Sequence, residues 1–270
     1  YQDGTDAEDL RRRISPFLMR RLKKEVLTEL PDKIESVFTA QMSPEQAKVY
    51  EATMMRLRQR VDSIVKEKGF ERGRTEVLAA ITQLREICCH PSLVLDDYTG
   101  TSGKLDMLLD MLPEAIAKGR RVLLFSAFTS MLKILRRELD DAGYETMYLD
   151  GDTPAQRRVE MAEQFNAGQG QIFLISLKAG GTGLNLTGAD MVIHYDPWWN
   201  PAAEDQATDR AYRIGQTRKV EVIRLVTHAS IEEQVVALGQ RKKALFDQLI
   251  KPGESMVGGL SPQEIMSLFQ

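Results

Sequence analysis

Cysteine is scarce in this chain, and the only two residues, Cys88 and Cys89, are neighbours. Adjacent cysteines cannot tie distant segments together, so no disulfide framework supports the fold. With His90 they do not assemble the four ligands of a structural metal site, and burial at a helix end accounts for them. No metal ligand set is assigned. No apolar stretch approaches the roughly 20 residues that cross a bilayer, and no secretory leader pattern stands at the start. Excess positive charge is missing too: 36 Lys and Arg face 39 Asp and Glu, a net charge of −3. No global field therefore draws in nucleic acid, and any such contact must come from a local patch. A phosphate-cradling P-loop is also lacking. Gly103-Lys104 comes nearest, but Leu105 stands where the hydroxyl residue belongs and Tyr98 where the first glycine belongs. At 270 residues there is room for one sizeable domain with appendages, or for two small ones.

Residues 172–216 organise what is present. Ile172 to Ile175 is a continuous apolar run, which suits a strand buried on both faces of a parallel sheet. Gly180, Gly181 and Gly183 follow at its carboxyl end, where open α/β sheets bind ligands. Glycine there lets a backbone N–H approach a phosphate, although it also makes ordinary tight turns. Met191 to His194 forms the next strand. Asn200 then serves as an N-cap and Pro201 as the first helical residue. The helix expected from there carries Gln206, Arg210 and Arg213 on one face, and Gly215 ends it. Arg213 alone could merely complement the helix dipole. Two arginines with a glutamine one turn earlier form a fork-rich site that favours a phosphate.

The rest alternates regularly. Strands are expected at Glu35–Met42, Val122–Phe125, Thr146–Leu149 and Val220–Val226. Helices are expected at about Pro44–Lys68 and Thr75–Cys89, from Lys104, at Met131–Ala142, after Thr153-Pro154, and from Ser230 to about Ile250. Ser43, Thr153 and Ser230 each open a capping-box pattern. The pattern predicts an α/β fold with a parallel sheet and helices on both faces. The stretch Arg11 to Lys24 interleaves basic and apolar residues, as a solvated helix face or a backbone-contacting one. The hydroxyls of Ser126 and Thr129 lie at a strand's carboxyl end, as helix caps or as ligand contacts. Ser261-Pro262 opens a short C-terminal helix expected to pack back on the domain.

These residues also carry a family resemblance. Leu-Lys-Ala-Gly-Gly-Thr-Gly-Leu-Asn-Leu from Leu177, Asp-Pro-Trp-Trp-Asn-Pro from Asp196, and Gln-Ala-Thr-Asp-Arg-Ala-Tyr-Arg-Ile-Gly-Gln from Gln206 resemble motif V, the approach to motif VI, and motif VI of the SNF2 family of DNA-dependent ATPases. Ser-Pro-Phe-Leu-Met-Arg-Arg-Leu-Lys-Lys-Glu-Val near the start and Leu-Arg-Glu-Ile-Cys-Cys-His-Pro at Leu84 are similar to the same family. The resemblance implies the second RecA-like lobe of a superfamily 2 motor, with an α-helical protrusion and a C-terminal brace helix. It divides the chain into an interlobe linker (1–34), the start of the lobe with its protrusion (35–120), a RecA-like core (121–250), and a linker with brace helix (251–270). It implies that Arg210, Arg213 and Gln206 act on ATP beside Gly181 and Gly183. It further implies that Thr129, Arg157, Lys178, Thr182, Asn185 and Trp199 meet double-stranded DNA. ATP and its magnesium would be held mainly by a first lobe, because this sequence offers neither a P-loop nor a strand ending in the Asp-Glu pair. The start at Tyr1 is expected to be a cut from a longer protein, and the isolated chain is expected to be inactive. Partners implied are double-stranded DNA, the N-terminal lobe of the same protein and protein cargo on that DNA, with no membrane. The location implied is intracellular: cytoplasmic in a bacterium, nuclear in a eukaryote.

Two other classes are weighed against this. A self-contained nucleotide enzyme using Gly180 to Gly183 fails on spacing, since Ala-Gly-Gly-Thr-Gly is not Gly-x-Gly-x-x-Gly. A non-catalytic DNA- or protein-binding module is opposed by the slightly acidic balance and is testable by salt-dependent DNA binding.

Overall fold

The computed structural model describes residues 30–179, 183–249 and 262–269, with side chains of the long helix before the last gap described to residue 241. The basic segment 11–24, Gly181, Thr182 and the 251–261 link lie outside the described residues. Six strands form one sheet in the order β1-β6-β5-β2-β4-β3, every neighbouring pair parallel. They are β1 (Lys33–Ala40), β2 (Val122–Ser126), β3 (Thr146–Leu149), β4 (Ile172–Ser176), β5 (Met191–His194) and β6 (Val220–Thr227). β1 pairs with β6 along its whole length, Lys33 opposite Val220 and Ala40 opposite Thr227.

The continuous apolar runs are explained by helices on both faces. On one face α3 (Gly103–Ala117) and α4 (Thr129–Asp141) set Leu108, Leu112, Leu132 and Leu135 against Leu124, Leu174, Ile193 and Leu225. On the other, α5 (Ala155–Asn166) and α6 (Pro201–Thr208) set Phe165 and Ala207 against Leu123, Phe125, Phe173 and Val192. Each such fully buried side chain contributes about 1.5–3 kcal/mol. A third core lies between α1 (Pro44–Lys68), α2 (Phe70–Cys89), α7 (Ile231–Leu249) and α8 (Pro262–Ser267), where Leu57, Ile81, Leu84, Val235 and Ile265 meet. The α1–α2 hairpin is the expected protrusion, and α8 packs back on the domain as expected. Among the described residues no helix is long and apolar enough to cross a membrane.

Two local expectations are corrected. α2 begins at Phe70 rather than about Thr75, joined to α1 by Gly69 alone at φ +75°. Gly73 is the reason it can: a Cβ there would fall 2.3 Å from the Ile64 methyl, so only glycine lets the two helices approach. The capping boxes close only partly. Ser43 accepts from the Gln46 N–H, but the Gln46 carboxamide leaves for the carbonyls of Ile87 and Cys88 and the Gly103 N–H. Ser230 accepts from the Glu232 N–H while Glu233 turns to His228, and Thr153 turns back to Asp150.

Candidate nucleotide and nucleic-acid interface

β2 stands between β4 and β5, so the chain switches sides of the sheet there. The crevice outside the carboxyl ends of these strands is where such sheets bind ligands. The loop after β4 carries the glycines, and the rest of the fold holds its shoulders. Arg158 on α5 donates to the Ala179 carbonyl at 3.2 Å and to the carbonyls of Thr153 and Gly151 at 2.7 and 2.9 Å. Asn166 donates to the Asn185 carbonyl and accepts from the Gly188 N–H, both at 2.8 Å. Gly183 has no positive φ, and a Cβ there would meet nothing within 4 Å. Among the described residues nothing packs against the position of a side chain at 183, which leaves room for an approaching group.

The arginines sit beside this loop, but not on a helix. α6 stops at Thr208, and Arg210 and Arg213 occupy the turns that follow. The expectation of one helical face carrying Gln206, Arg210 and Arg213 is therefore corrected. The ladder breaks because the next N–H groups close shorter turns: Arg210 N–H meets the Ala207 carbonyl at 3.3 Å and Ala211 N–H the Thr208 carbonyl at 3.0 Å, while Tyr212 N–H keeps a helical bond to Thr208 O at 3.0 Å. Arg210 O then accepts from Leu186 at 2.9 Å. Gln206 is exposed, Arg213 is exposed, and Arg210 is only 5% exposed. Gly215, expected to end the helix, lies beyond its observed end at Thr208, in a turn with φ +99°.

Arg213 Nη1 lies 3.4 Å from the Gly183 carbonyl, at the rim of the loop. Arg210 Nε and Nη1 are buried with no hydrogen-bond partner among the described residues. Burial alone pulls its pKa down to about 10, and no carboxylate offsets that pull. A guanidinium held dry without an acceptor suits an anion arriving from outside.

The sequence-predicted nucleic-acid residues collect at the carboxyl ends of adjacent strands. Thr129 follows β2 and is exposed; Lys178 and Asn185 follow β4 and are exposed; Arg157 follows β3 and is exposed, 3.2 Å from Glu160. Trp199 follows β5, half-buried against the third core. Ser126 is not among them: its hydroxyl is buried and donates to Asp196. Trp198 is half-buried. Lys104, already set aside as a nucleotide lysine, is fully buried 2.7 Å from Glu232.

Sequence reasoning missed the supports. Arg85 on α2 reaches Asp196 Oδ2 at 3.3 Å and the Pro197 carbonyl at 2.7 Å. Its guanidinium lies 5.0 to 5.2 Å from the ring centres of Phe128, Trp198 and Trp199. Glu204 accepts from the Trp198 N–H and pairs with Arg224 at 2.7 Å, and Arg224 also pairs with Glu35. Burial raises the Glu204 carboxyl despite Arg224. For Glu35 burial pushes upward, yet bonds from Lys33 and Arg224 carry it down to about 2. Partners more than a hundred residues apart leave no local signal.

The comparisons with known proteins fit this geometry. Residues 103–215 match the helicase conserved C-terminal domain and residues 2–93 the SNF2-related domain. With the parallel sheet and its glycine loop, they define a helicase-like chain of superfamily 2. YwqA of Bacillus subtilis (strain 168), provisionally named an ATP-dependent helicase/translocase, is 39% identical over 268 residues, 96% of this chain and 28% of that protein. The chromatin structure-remodeling complex subunit snf21 of Schizosaccharomyces pombe (strain 972 / ATCC 24843) is 37% identical over 89% of this chain and 21% of its own length. The Sulfolobus solfataricus SWI2/SNF2 ATPase core in complex with dsDNA is similar with a TM-score of 0.71 and 34% identity, over 97% of this chain and 55% of that one. The chain belongs to the SNF2 family. It spans 28% and 21% of the length of these two relatives.

Proposed function

We propose that this chain is the second lobe of an ATP-driven motor that moves on double-stranded DNA. Residues 1–34 would link the lobes, 35–120 carry the protrusion, 121–250 form the core and 251–270 brace it. In this reading Arg210 and Arg213 face the ATP phosphates across a cleft, with Gln206 beside them and Gly181 and Gly183 giving close backbone approach. A first lobe carrying the P-loop and the magnesium carboxylates would hold most of the nucleotide. Bound there, ATP with magnesium supplies the phosphoryl group to be transferred. The residues of this chain orient it and neutralise the charge that develops.

The observation that carries the reading is Arg210. Its guanidinium is buried, two of its nitrogens lack acceptors among the described residues, and no carboxylate accounts for it. A group kept in that condition is preorganised for charge that appears only during reaction. Thr129, Arg157, Lys178, Thr182, Asn185 and Trp199 would meet the DNA. Backbone contacts of this kind position a protein without reading sequence, as a motor that steps on any DNA requires.

The test is Arg210→Ala in the full-length, two-lobed protein, followed by DNA-stimulated ATP turnover. The expected loss in kcat is at least about a thousandfold, with KM for ATP changed only a few-fold. Equal losses in kcat and in ATP affinity would assign Arg210 to ground-state binding instead. The isolated 270-residue chain is expected to show negligible turnover, and substantial hydrolysis by it would overturn the two-lobe reading.

A further inference from the structure

Gln216 has no role so far, yet its carboxamide is almost wholly buried, 5% exposed. Nε2 donates to the carbonyls of Ala189 at 2.7 Å, Ala211 at 3.0 Å and Thr187 at 3.2 Å. Oε1 accepts the Arg218 N–H at 2.8 Å. These acceptors lie on two segments. Thr187 and Ala189 belong to the chain leaving the glycine loop, and Ala211 lies between Arg210 and Arg213. The Gln216 N–H also closes on the Arg213 carbonyl at 2.9 Å. One side chain thus joins the exit of the loop to the turn that bears both arginines.

That turn needs such a fastening. With α6 ended at Thr208, no helical ladder holds the backbone of Arg210. Its own carbonyl is bound to Leu186, between Asn185 and Thr187 in the loop's exit. The fastening also needs this side chain. A carboxylate would keep the acceptor for Arg218 but present negative charge to three carbonyls, and a thioether would fill the space with no hydrogen bonds.

We propose that Gln216 is the positioning residue for Arg210 and Arg213. It sets their distance from the glycine loop and acts on turnover only through them. The inference rests on the reading of Arg210 given above.

The experiment uses the full-length protein with Gln216→Glu and Gln216→Met, each alone and combined with Arg210→Ala. The readouts are DNA-stimulated kcat, KM for ATP and the denaturant midpoint. Displacement of a stabilising group by an ångström or less lowers kcat between about tenfold and a hundredfold; KM is expected to stay within about threefold. In the Arg210→Ala background neither substitution should lower kcat further to the same degree, because residues acting as a unit are not additive. Folded variants with wild-type kcat overturn the proposal, as do losses that multiply fully with that of Arg210→Ala. If both variants are unfolded at the assay temperature, Gln216 is a determinant of the fold and the proposal also falls. Normal turnover in Arg210→Ala alone sinks the reading of Arg210 itself. A slow Arg210→Ala beside unaffected Gln216 variants sinks only this inference.

Discussion

Two arginines are buried at the carboxyl edge of this sheet, and their surroundings are opposite. Arg85, 2% exposed, meets a carboxylate and a carbonyl through Nη2 and faces three aromatic rings, although its Nε is buried without an acceptor among the described residues. Arg210, 5% exposed, has neither carboxylate nor hydrogen-bonded carbonyl among the described residues. Burying an ion is unfavourable in both places. At Arg85 the compensation is internal, so the residue joins the α2 hairpin to the loop after β5. At Arg210 it is left to something outside the described residues. Burial alone does not separate a structural cation from a functional one; the presence of a partner does.

The comparison is broken most sharply by stability measurements on the two alanine variants. Arg85→Ala leaves Asp196 with its buried charge uncompensated and is expected to destabilise the chain by about 3–5 kcal/mol in urea unfolding. Arg210→Ala, which removes a desolvated group without a partner, should not lower the unfolding free energy at all. If Arg210→Ala destabilised as much as Arg85→Ala, the distinction would collapse. Lys104→Met would sharpen it from the other side, because Glu232 then loses its ion-pair partner among the described residues. The expected loss there is again about 3–5 kcal/mol.

An effect confined to acid pH tests the support under the arginine turn. His194 is fully buried at the end of β5, stacked on Phe125 and 3.0 Å from the Thr208 hydroxyl, and burial lowers its pKa from 6.5 to about 3. The unfolded chain therefore takes up this proton first. Stability is full above pH 6.5 and falls as pH drops from there toward 3, by up to about 1.4 kcal/mol per pH unit. His194→Gln should flatten unfolding free energy against pH between 6.5 and 4. An unchanged slope would show that the imidazole is not the titrating group.

The smallest effect is expected at the surface. Arg157 is exposed and, among the described residues, pairs with Glu160. Arg157→Ala should leave stability within about 0.5 kcal/mol. If Arg157 meets a phosphate, the substitution should reduce the salt dependence of DNA binding by about one counterion. An unaltered salt slope would remove Arg157 from the DNA-facing set.

Much of the fold was legible because its signals are local. The apolar runs at Val122, Ile172 and Met191 could only be strands buried on both sides, and Ser43-Pro44 opened a helix where expected. The arginine pair was legible as residue types at a spacing, but its geometry was not. Nothing in residues 201–216 announces that the chain will close into short turns after Thr208 or that the Arg210 carbonyl will be taken by Leu186. The third residue of each capping pattern misled for a related reason: Gln46 and Glu233 found tertiary partners that outcompeted the local one. Arg85 and Asp196 lie 111 residues apart, and only the sheet's strand order brings them together.

That strand order also sets a timetable for making the molecule. β1 is the first described strand to be synthesised, and its neighbour among the described strands is β6, Lys33 opposite Val220. At ribosomal speeds of about 5–20 residues per second, β1 waits for roughly ten to forty seconds before its hydrogen bonds can form. The α1–α2 hairpin emerges in the meantime and can fold from neighbouring contacts alone. β1 meanwhile carries Ile34, Val37 and Phe38, which stay exposed even after pairing. Among the described strands β1 is thus the one longest open to aggregation, and that vulnerability lasts until β6 has left the ribosome.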